Sequence, residues 1–204
     1  MPDFETSALA LLIAAGLAYL LGSVPFGVVV SKLFGLPDPR SIGSGNIGAT
    51  NVLRSGSKPA ALVTVLLDGA KGLVAVVLAK SIFGADAAQV AGLFAFIGHI
   101  FSLWLGFKGG KGVATFLGVL IGLSLVLGAI AAGLWLLGYL VFRISSLSAL
   151  TSAVITPIAA LFTGFGSTFV VLVIMSALLV WRHKENIQRL RSGTEPSVNW
   201  GKKS

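Results

Sequence analysis

Apolar residues run without a charge from Leu9 to Leu21 and, around Asp68 and Lys71, from Ala61 to Val77. Comparable runs recur almost to the C-terminus, separated by short stretches rich in glycine, polar residues and cations. A helix needs about 20 apolar residues to cross a bilayer. The pattern predicts spans near 7–30, 59–82, 87–105, 113–125, 128–142, 147–163 and 167–183, with the fourth and fifth short. The first run has no cationic stretch before it and no clear small-residue cleavage site, so it is expected to remain as a span.

Composition supports the same class. The 204 residues are 55% hydrophobic and 11% charged, against about 25% charged in a typical soluble domain. There are no cysteines, which removes thiol nucleophiles and disulfides, and the two histidines, His99 and His183, offer no histidine-rich metal site.

The net charge of +8 matters less than its placement. Lys32, Arg40, Arg54 and Lys58 follow the first span, Lys108 and Lys111 form a second group, and Arg143 lies between two runs. Arg182, Lys184, Arg189, Arg191, Lys202 and Lys203 close the chain. Cations confined to alternate loops indicate cytoplasmic loops of a membrane protein and not a nucleic-acid stripe. Merging 113–142 into one span would put the basic tail outside. With seven spans every cluster falls on one face, and Lys80 alone lies near the other. The expectation is an all-α polytopic membrane protein: a single domain over 1–204, seven transmembrane helices, N-terminus outside and C-terminus cytoplasmic.

The polar chemistry is concentrated in the inner loops. Gly43-Ser44-Gly45-Asn46-Ile47-Gly48 matches G-x-G-x-x-G, with Asp68 twenty residues on. The dinucleotide fingerprint requires a preceding strand, whereas this loop follows a membrane helix and Asp68 lies inside a span. Glycines do let backbone N–H groups converge on an anion. Ser44, Asn46, Thr50 and Asn51 add neutral polar groups, and Arg40 and Arg54 offer forked donors suited to phosphate. A Gly/Ser hinge would not need those asparagines and that threonine, so anion binding is the expected role.

The segment Gly106-Phe107-Lys108-Gly109-Gly110-Lys111-Gly112 repeats the theme without being a Walker A loop. It serves either a substrate phosphate or anionic lipid headgroups. In Trp181-Arg182-His183-Lys184-Glu185-Asn186-Ile187-Gln188-Arg189, membrane anchoring accounts for Trp181, Arg182 and Lys184. A continuous helix there would put His183 with Asn186, and Asn186 with Arg189, on shared faces. Asp68 and Lys71, also three apart, face one another about 15 Å into their span; they either support the bundle or shape the site. His99 is either an interhelical hydrogen-bonding residue or a wall of the site.

Nucleophiles are few and no carboxylate pair has useful spacing, so covalent catalysis is not expected. A reaction driven by positioning and electrostatics fits better. A phosphate-ester transporter would need polar residues at both faces. The expected outer connections, Gly84-Ala85-Asp86, a break near Gly128 and Gly164-Phe165-Gly166, are nearly uncharged, and no internal repeat is evident. A lipid-binding scaffold would leave Asn46, Thr50 and Asn186 replaceable.

Five ordered motifs carry a resemblance over the whole chain. They are Gly22-Ser-Val-Pro-Phe-Gly27; Gly43-Ser-Gly-Asn-Ile-Gly-Ala-Thr-Asn51 with Arg54; Asp68-Gly-Ala-Lys71-Gly72 with Gly98-His99; Phe107-Lys-Gly-Gly-Lys-Gly-Val-Ala-Thr115; and Arg182-His183-Lys-Glu-Asn186-Ile-Gln-Arg189-Leu. The chain resembles the bacterial acyl-phosphate:glycerol-3-phosphate acyltransferase family, PlsY. The resemblance implies a seven-helix enzyme of the inner membrane with its active site at the cytoplasmic face. It implies acyl transfer from acyl phosphate to the 1-hydroxyl of glycerol 3-phosphate, giving lysophosphatidic acid and inorganic phosphate in the first acylation of phospholipid biosynthesis.

The same resemblance implies no metal and no cofactor, and a functional link to the enzyme that makes acyl phosphate. The Gly43–Asn51 loop would hold the acyl-phosphate headgroup, with Ser44 and Thr50 in contact. Arg54, Lys111, His183 and Asn186 would orient glycerol 3-phosphate, with Lys108 nearby. Arg40, Gly43, Gly45, Asn46, Gly48, Asn51, Gly109, Gly110 and Arg189 complete the expected binding set, with Asp68, Lys71 and His99 in support. A substrate phosphate oxygen would take the hydroxyl proton, with His183 as the alternative base by residue type.

Overall fold

A computed structural model describes residues 5–197; Lys202 and Lys203 of the basic tail lie outside them. Regular structure among the described residues is helical throughout. The α-helices are α1 (Ala8–Ser23), α2 (Phe26–Leu33), α3 (Ala49–Arg54), α4 (Lys58–Phe83), α5 (Ala85–Ile100), α6 (Val113–Leu123), α7 (Leu125–Phe142), α8 (Ser145–Phe162), α9 (Phe169–Arg182) and α10 (Lys184–Arg191). Five stretches are long and apolar enough to cross a membrane: Ala8–Leu33, Lys58–Phe83, Ala85–Leu105, Leu125–Phe142 and Ser145–Phe162. The segment Gly166–Arg182, continued by α10 at a bend of 61°, makes a sixth. Large apolar side chains stand exposed along them, Leu12 at 70% and Phe162 at 84% among them, as hydrocarbon-facing surfaces require.

Of the two helices expected to be short, α6 is short at 11 residues, while α7 is 18 residues and long enough to span. The expected break near Gly128 lies instead at Ser124, between α6 and α7. Ser124 is extended, at φ −162° and ψ 129°, so it stops the helix. Gly128 has a packing role: a Cβ there would overlap Ile121 of α6.

The described chain forms two compact units, divided within α7 between Gly128 and Ala129. In the first, small residues bring helix backbones together. A Cβ on Gly22 of α1 would overlap the Ala95 carbonyl of α5, and one on Gly98 of α5 would overlap the Tyr19 carbonyl of α1. Ala14, Ala18, Ala91 and Ala95 are buried in the same cluster. Between α4 and α6, a Cβ on Gly118 would overlap the Gly69 carbonyl, and one on Gly72 would crowd the Thr115 carbonyl. Such close approach is how apolar helices associate where burial from water supplies no drive.

Helix breaks release backbone carbonyls, and side chains take them up. Pro25 disfavours helical conformation at Val24 and ends α1. The Ser23 carbonyl then accepts from Ser102 Oγ at 2.6 Å, and the Val24 carbonyl accepts from Lys71 Nζ at 2.8 Å. In the second unit, Pro157 lies inside α8 and lacks the N–H that would bond the Ala153 carbonyl. Ser176 Oγ of α9 donates to that carbonyl at 2.6 Å, which joins α8 to α9. Ser152 Oγ joins α8 to α7 through the Ala131 carbonyl, at 2.8 Å.

Because α4 and α6 touch backbone to backbone, Gly118→Val should lower the unfolding midpoint in detergent, with a cost of about 1–3 kcal/mol for overpacking. An unchanged midpoint would show that this contact has slack.

Candidate active site

The loop between α2 and α3 is shaped by two left-handed glycines, Gly43 at φ +52° and Gly45 at φ +68°. Asn51, 2% exposed, clamps it from the inside. Its Oδ1 accepts from the Ser44 N–H at 3.1 Å and from Arg54 Nη1 at 3.4 Å. Its Nδ2 donates to the carbonyls of Pro39, at 2.5 Å, and Ile42, at 3.1 Å. A Cβ on Gly43 would displace the Asn51 amide. Buried Ile47 seats the loop on α2, where its carbonyl approaches Gly27 too closely for any side chain there. Ser44, Thr50 and Arg54 remain exposed on this clamped frame, and Asn46 is half-buried. Arg40 forms an exposed fork with Asp38, Nη2 to Oδ2 at 2.6 Å and Nε to Oδ1 at 3.0 Å. Those hydrogen bonds hold the Asp38 carboxyl below its ordinary range.

The second glycine loop folds back onto the end of α5. The Gly109 N–H donates to the Ile100 carbonyl at 2.9 Å and the Gly110 N–H to the His99 carbonyl at 3.0 Å. These amides therefore satisfy carbonyls at the end of α5. The glycines are needed for fit: a Cβ on Gly109 would overlap the His99 carbonyl, and one on Gly110 would overlap the His99 ring. Lys108 is exposed and Lys111 half-buried. Gly112, at φ +88° and closely packed on Phe96, precedes α6. Gly106 and Phe107 are both left-handed, at φ +58° and +63°; for phenylalanine this costs energy that the surrounding loop must offset.

Asp68, Lys71 and His99 come together inside the first unit. Lys71 Nζ lies 2.7 Å from Asp68 Oδ1, and His99 Nδ1 lies 3.5 Å from the same oxygen. All three are at most 4% exposed. The face-to-face pairing expected from the three-residue spacing is present.

In the second unit the helix does not run continuously through the basic motif. It ends at Arg182, turns at His183 and resumes at Lys184 with a bend of 61°. His183 is buried and its Nδ1 donates to the Leu179 carbonyl at 2.8 Å, so in the neutral ring Nε2 carries the lone pair. Asn186 and Arg189 share a partner that sequence reasoning did not single out, Glu195. Asn186 Nδ2 donates to Glu195 Oε1 at 2.5 Å, Arg189 Nε to Oε2 at 2.6 Å, and Ser146 Oγ to Oε1 at 2.6 Å. The available signal was Gly193, at φ +70°, which turns the chain back just before that lone acid. Burial pushes the Glu195 carboxyl up, but the donors from Ser146, Asn186 and Arg189 outweigh it and hold the carboxyl below its usual range.

Clamped polar loops with exposed arginine, lysine, serine and threonine, carried on apolar helices, define a class: an integral membrane protein with cationic polar loops. Comparison narrows it. Residues 12–193 match the family model described as glycerol-3-phosphate acyltransferase. A glycerol-3-phosphate acyltransferase of Jannaschia sp. (strain CCS1) is 54% identical over 198 residues, covering 97% of this chain and 98% of the relative. One from Dinoroseobacter shibae is 56% identical over 200 residues, covering 97% of this chain and 98% of the relative. The crystal structure of PlsY, an integral membrane glycerol 3-phosphate acyltransferase, in its glycerol 3-phosphate form, superposes with a TM-score of 0.87 at 37% identity, covering 93% of this chain and 96% of that one. Its lysophosphatidic acid form gives 0.86 at 36% identity, covering 93% and 95%. The chain belongs to the glycerol-3-phosphate acyltransferase family. It is an acyltransferase with the all-helical integral membrane fold of PlsY.

The depressed Glu195 carboxyl has a pH consequence. A group whose folded pKa is lowered adds stability above its unfolded value, about 4.3 for glutamate, and loses it as pH falls through the folded value. Glu195→Gln should therefore cost about 1–3 kcal/mol at neutral pH, and the gap from wild type should close as the solution is acidified. Unfolding midpoints of both proteins across pH would check this; a gap that stays constant into acid would refute it.

Proposed function

We propose that the chain transfers an acyl group from acyl phosphate to the 1-hydroxyl of glycerol 3-phosphate. The products are lysophosphatidic acid and inorganic phosphate, and the step is the first acylation of phospholipid biosynthesis. The observation that carries the site assignment is the loop clamped by Asn51, which leaves Ser44, Thr50 and Arg54 exposed together on a rigid frame. A preformed frame of donors needs no reorganisation when charge develops in the reaction.

In this reading Ser44 and Thr50 contact the acyl-phosphate headgroup. Arg54, Lys111, His183 and Asn186 orient glycerol 3-phosphate and balance its charge. Lys108 and Arg40 steer the anions. Gly43, Gly45, Asn46, Gly48, Asn51, Gly109 and Gly110 set the loop geometry, and Arg189 holds the Asn186 region through Glu195. The 1-hydroxyl oxygen attacks the carbonyl carbon and the carbon–oxygen bond to phosphate breaks. A substrate phosphate oxygen accepts the hydroxyl proton, and phosphate departs as a stable leaving group. The tautomer set by Leu179 supports a second reading of that step, in which His183 Nε2 is the acceptor.

The whole chain acts as one domain in the bacterial inner membrane, with seven spans, the N-terminus outside, and the site and C-terminus in the cytoplasm. The grouping of cations in alternate loops supports that topology. The acyl chain stays in the bilayer beside short α6, and an enzyme that makes acyl phosphate supplies the donor.

Purified protein given acyl phosphate and labelled glycerol 3-phosphate should form labelled lysophosphatidic acid; none formed by folded protein would overturn the reaction. Ser44→Ala and Lys111→Ala should each lower turnover about a hundredfold, the scale of losing one donor aimed at developing charge, and Lys111→Ala should also raise KM for glycerol 3-phosphate, with expression and unfolding unchanged. Wild-type rates in both would sink the site assignment while leaving the family untouched.

A further inference from the structure

Asp68 and Lys71 account for each other's charge, and Lys71 also satisfies the Val24 carbonyl left by the α1 break. Its ammonium lies 5.7 Å from the Phe26 ring centroid as well. A purely supporting pair would end there. It does not, because Asp68 also faces His99, the residue on which the middle of the Lys108–Lys111 loop rests.

Upstream, His99 Nδ1 lies 3.5 Å from Asp68 Oδ1. That same ring occupies the space a Cβ at Gly110 would take, and the His99 carbonyl receives the Gly110 N–H at 3.0 Å. The ring that Asp68 faces is thus the surface on which Gly110 rests. Downstream, Thr115 Oγ1 in the first turn of α6 donates to the Asp68 backbone carbonyl at 2.9 Å. Gly72, one turn further along α4, meets the Thr115 carbonyl at close range. The loop is thus seated on His99 between its two lysines, and the first turn of α6 that follows it is tied to α4.

We propose that Asp68 is a positioning residue for acyl transfer: through His99 its carboxylate sets the Lys108–Lys111 loop, and so the Lys111 ammonium, against the phosphate of glycerol 3-phosphate, while the Thr115 bond to its backbone carbonyl is kept whatever the side chain. This rests on the assignment of Lys111 to that phosphate. It separates two jobs within one buried cluster. Lys71 satisfies the broken helix, and Asp68 couples α4 to the loop. Asp68 is buried and acts through the loop, so its removal acts through KM for glycerol 3-phosphate and leaves the acyl donor's KM near its wild-type value.

The test uses the full-length enzyme in detergent, with kcat and both KM values measured for Asp68→Asn, His99→Gln, their double variant and Lys111→Ala, each alongside its unfolding midpoint. Each of Asp68→Asn and His99→Gln should raise KM for glycerol 3-phosphate about three- to thirty-fold, within the range of coupling between contacting residues. The double variant should be no worse than the more affected single, because both changes break one connection. If Asp68→Asn fails to fold, His99→Gln alone carries the test, since it leaves the Asp68–Lys71 pair and the Lys71 bond to Val24 in place; a wild-type KM in that variant overturns the proposal. Additive effects overturn the proposal. So do folded variants with wild-type KM where Lys111→Ala raises it. A wild-type KM in Lys111→Ala overturns instead the assignment on which the proposal rests.

Discussion

In hydrocarbon a backbone carbonyl released by a broken helix has no water to accept from, so another group of the protein must donate to it. Much of this structure follows from that requirement. Pro25 breaks the first span, and the carbonyls of Ser23 and Val24 draw in Ser102 and Lys71. An ammonium at that depth needs a counter-charge, which Asp68 supplies from one turn away. In the second unit Pro157 strands the Ala153 carbonyl and Ser176 bridges to it. Each break thus becomes a crosslink between elements distant in sequence.

The end of α5 extends the same logic into the site. Its carbonyls at His99 and Ile100 are taken by the N–H groups of Gly110 and Gly109. Those glycines look in sequence like an anion cradle, yet their amides complete a helix end and their missing side chains admit the His99 ring. Asn51 makes a comparable use of its amide, donating and accepting within its own loop. In both loops the most buried polar groups hold the frame, and Ser44, Thr50, Arg54 and Lys108 stand exposed on it.

Much of the fold was legible in the chain. The apolar runs predicted α4 and α8 to within two residues at each end, because long spans are set by bilayer thickness and not by local propensity. The α6–α7 boundary was displaced from Gly128 to Ser124. Glycine reads as a break when seen alone, but here it serves contact with Ile121. The bend at His183 was missed because its side chain and backbone N–H both bond back to the preceding turn, which leaves a helix-like sequence signature. Glu195 escaped notice because an isolated acid after a basic helix gives no periodic signal, and its three donors come from positions between 6 and 49 residues away.

By itself the sequence determined the class of protein, the approximate helices, the concentration of cations in alternate loops and the family, since each is written in runs, counts or ordered motifs. Only the tertiary structure decided which polar groups are committed to the frame. Asn51, Gly109, Gly110, Lys71 and Glu195 look like ligand-binding or solvated residues in the chain. They become structural partners because helix breaks and close backbone contacts bring specific donors and acceptors within reach, and residue spacing does not encode those distances.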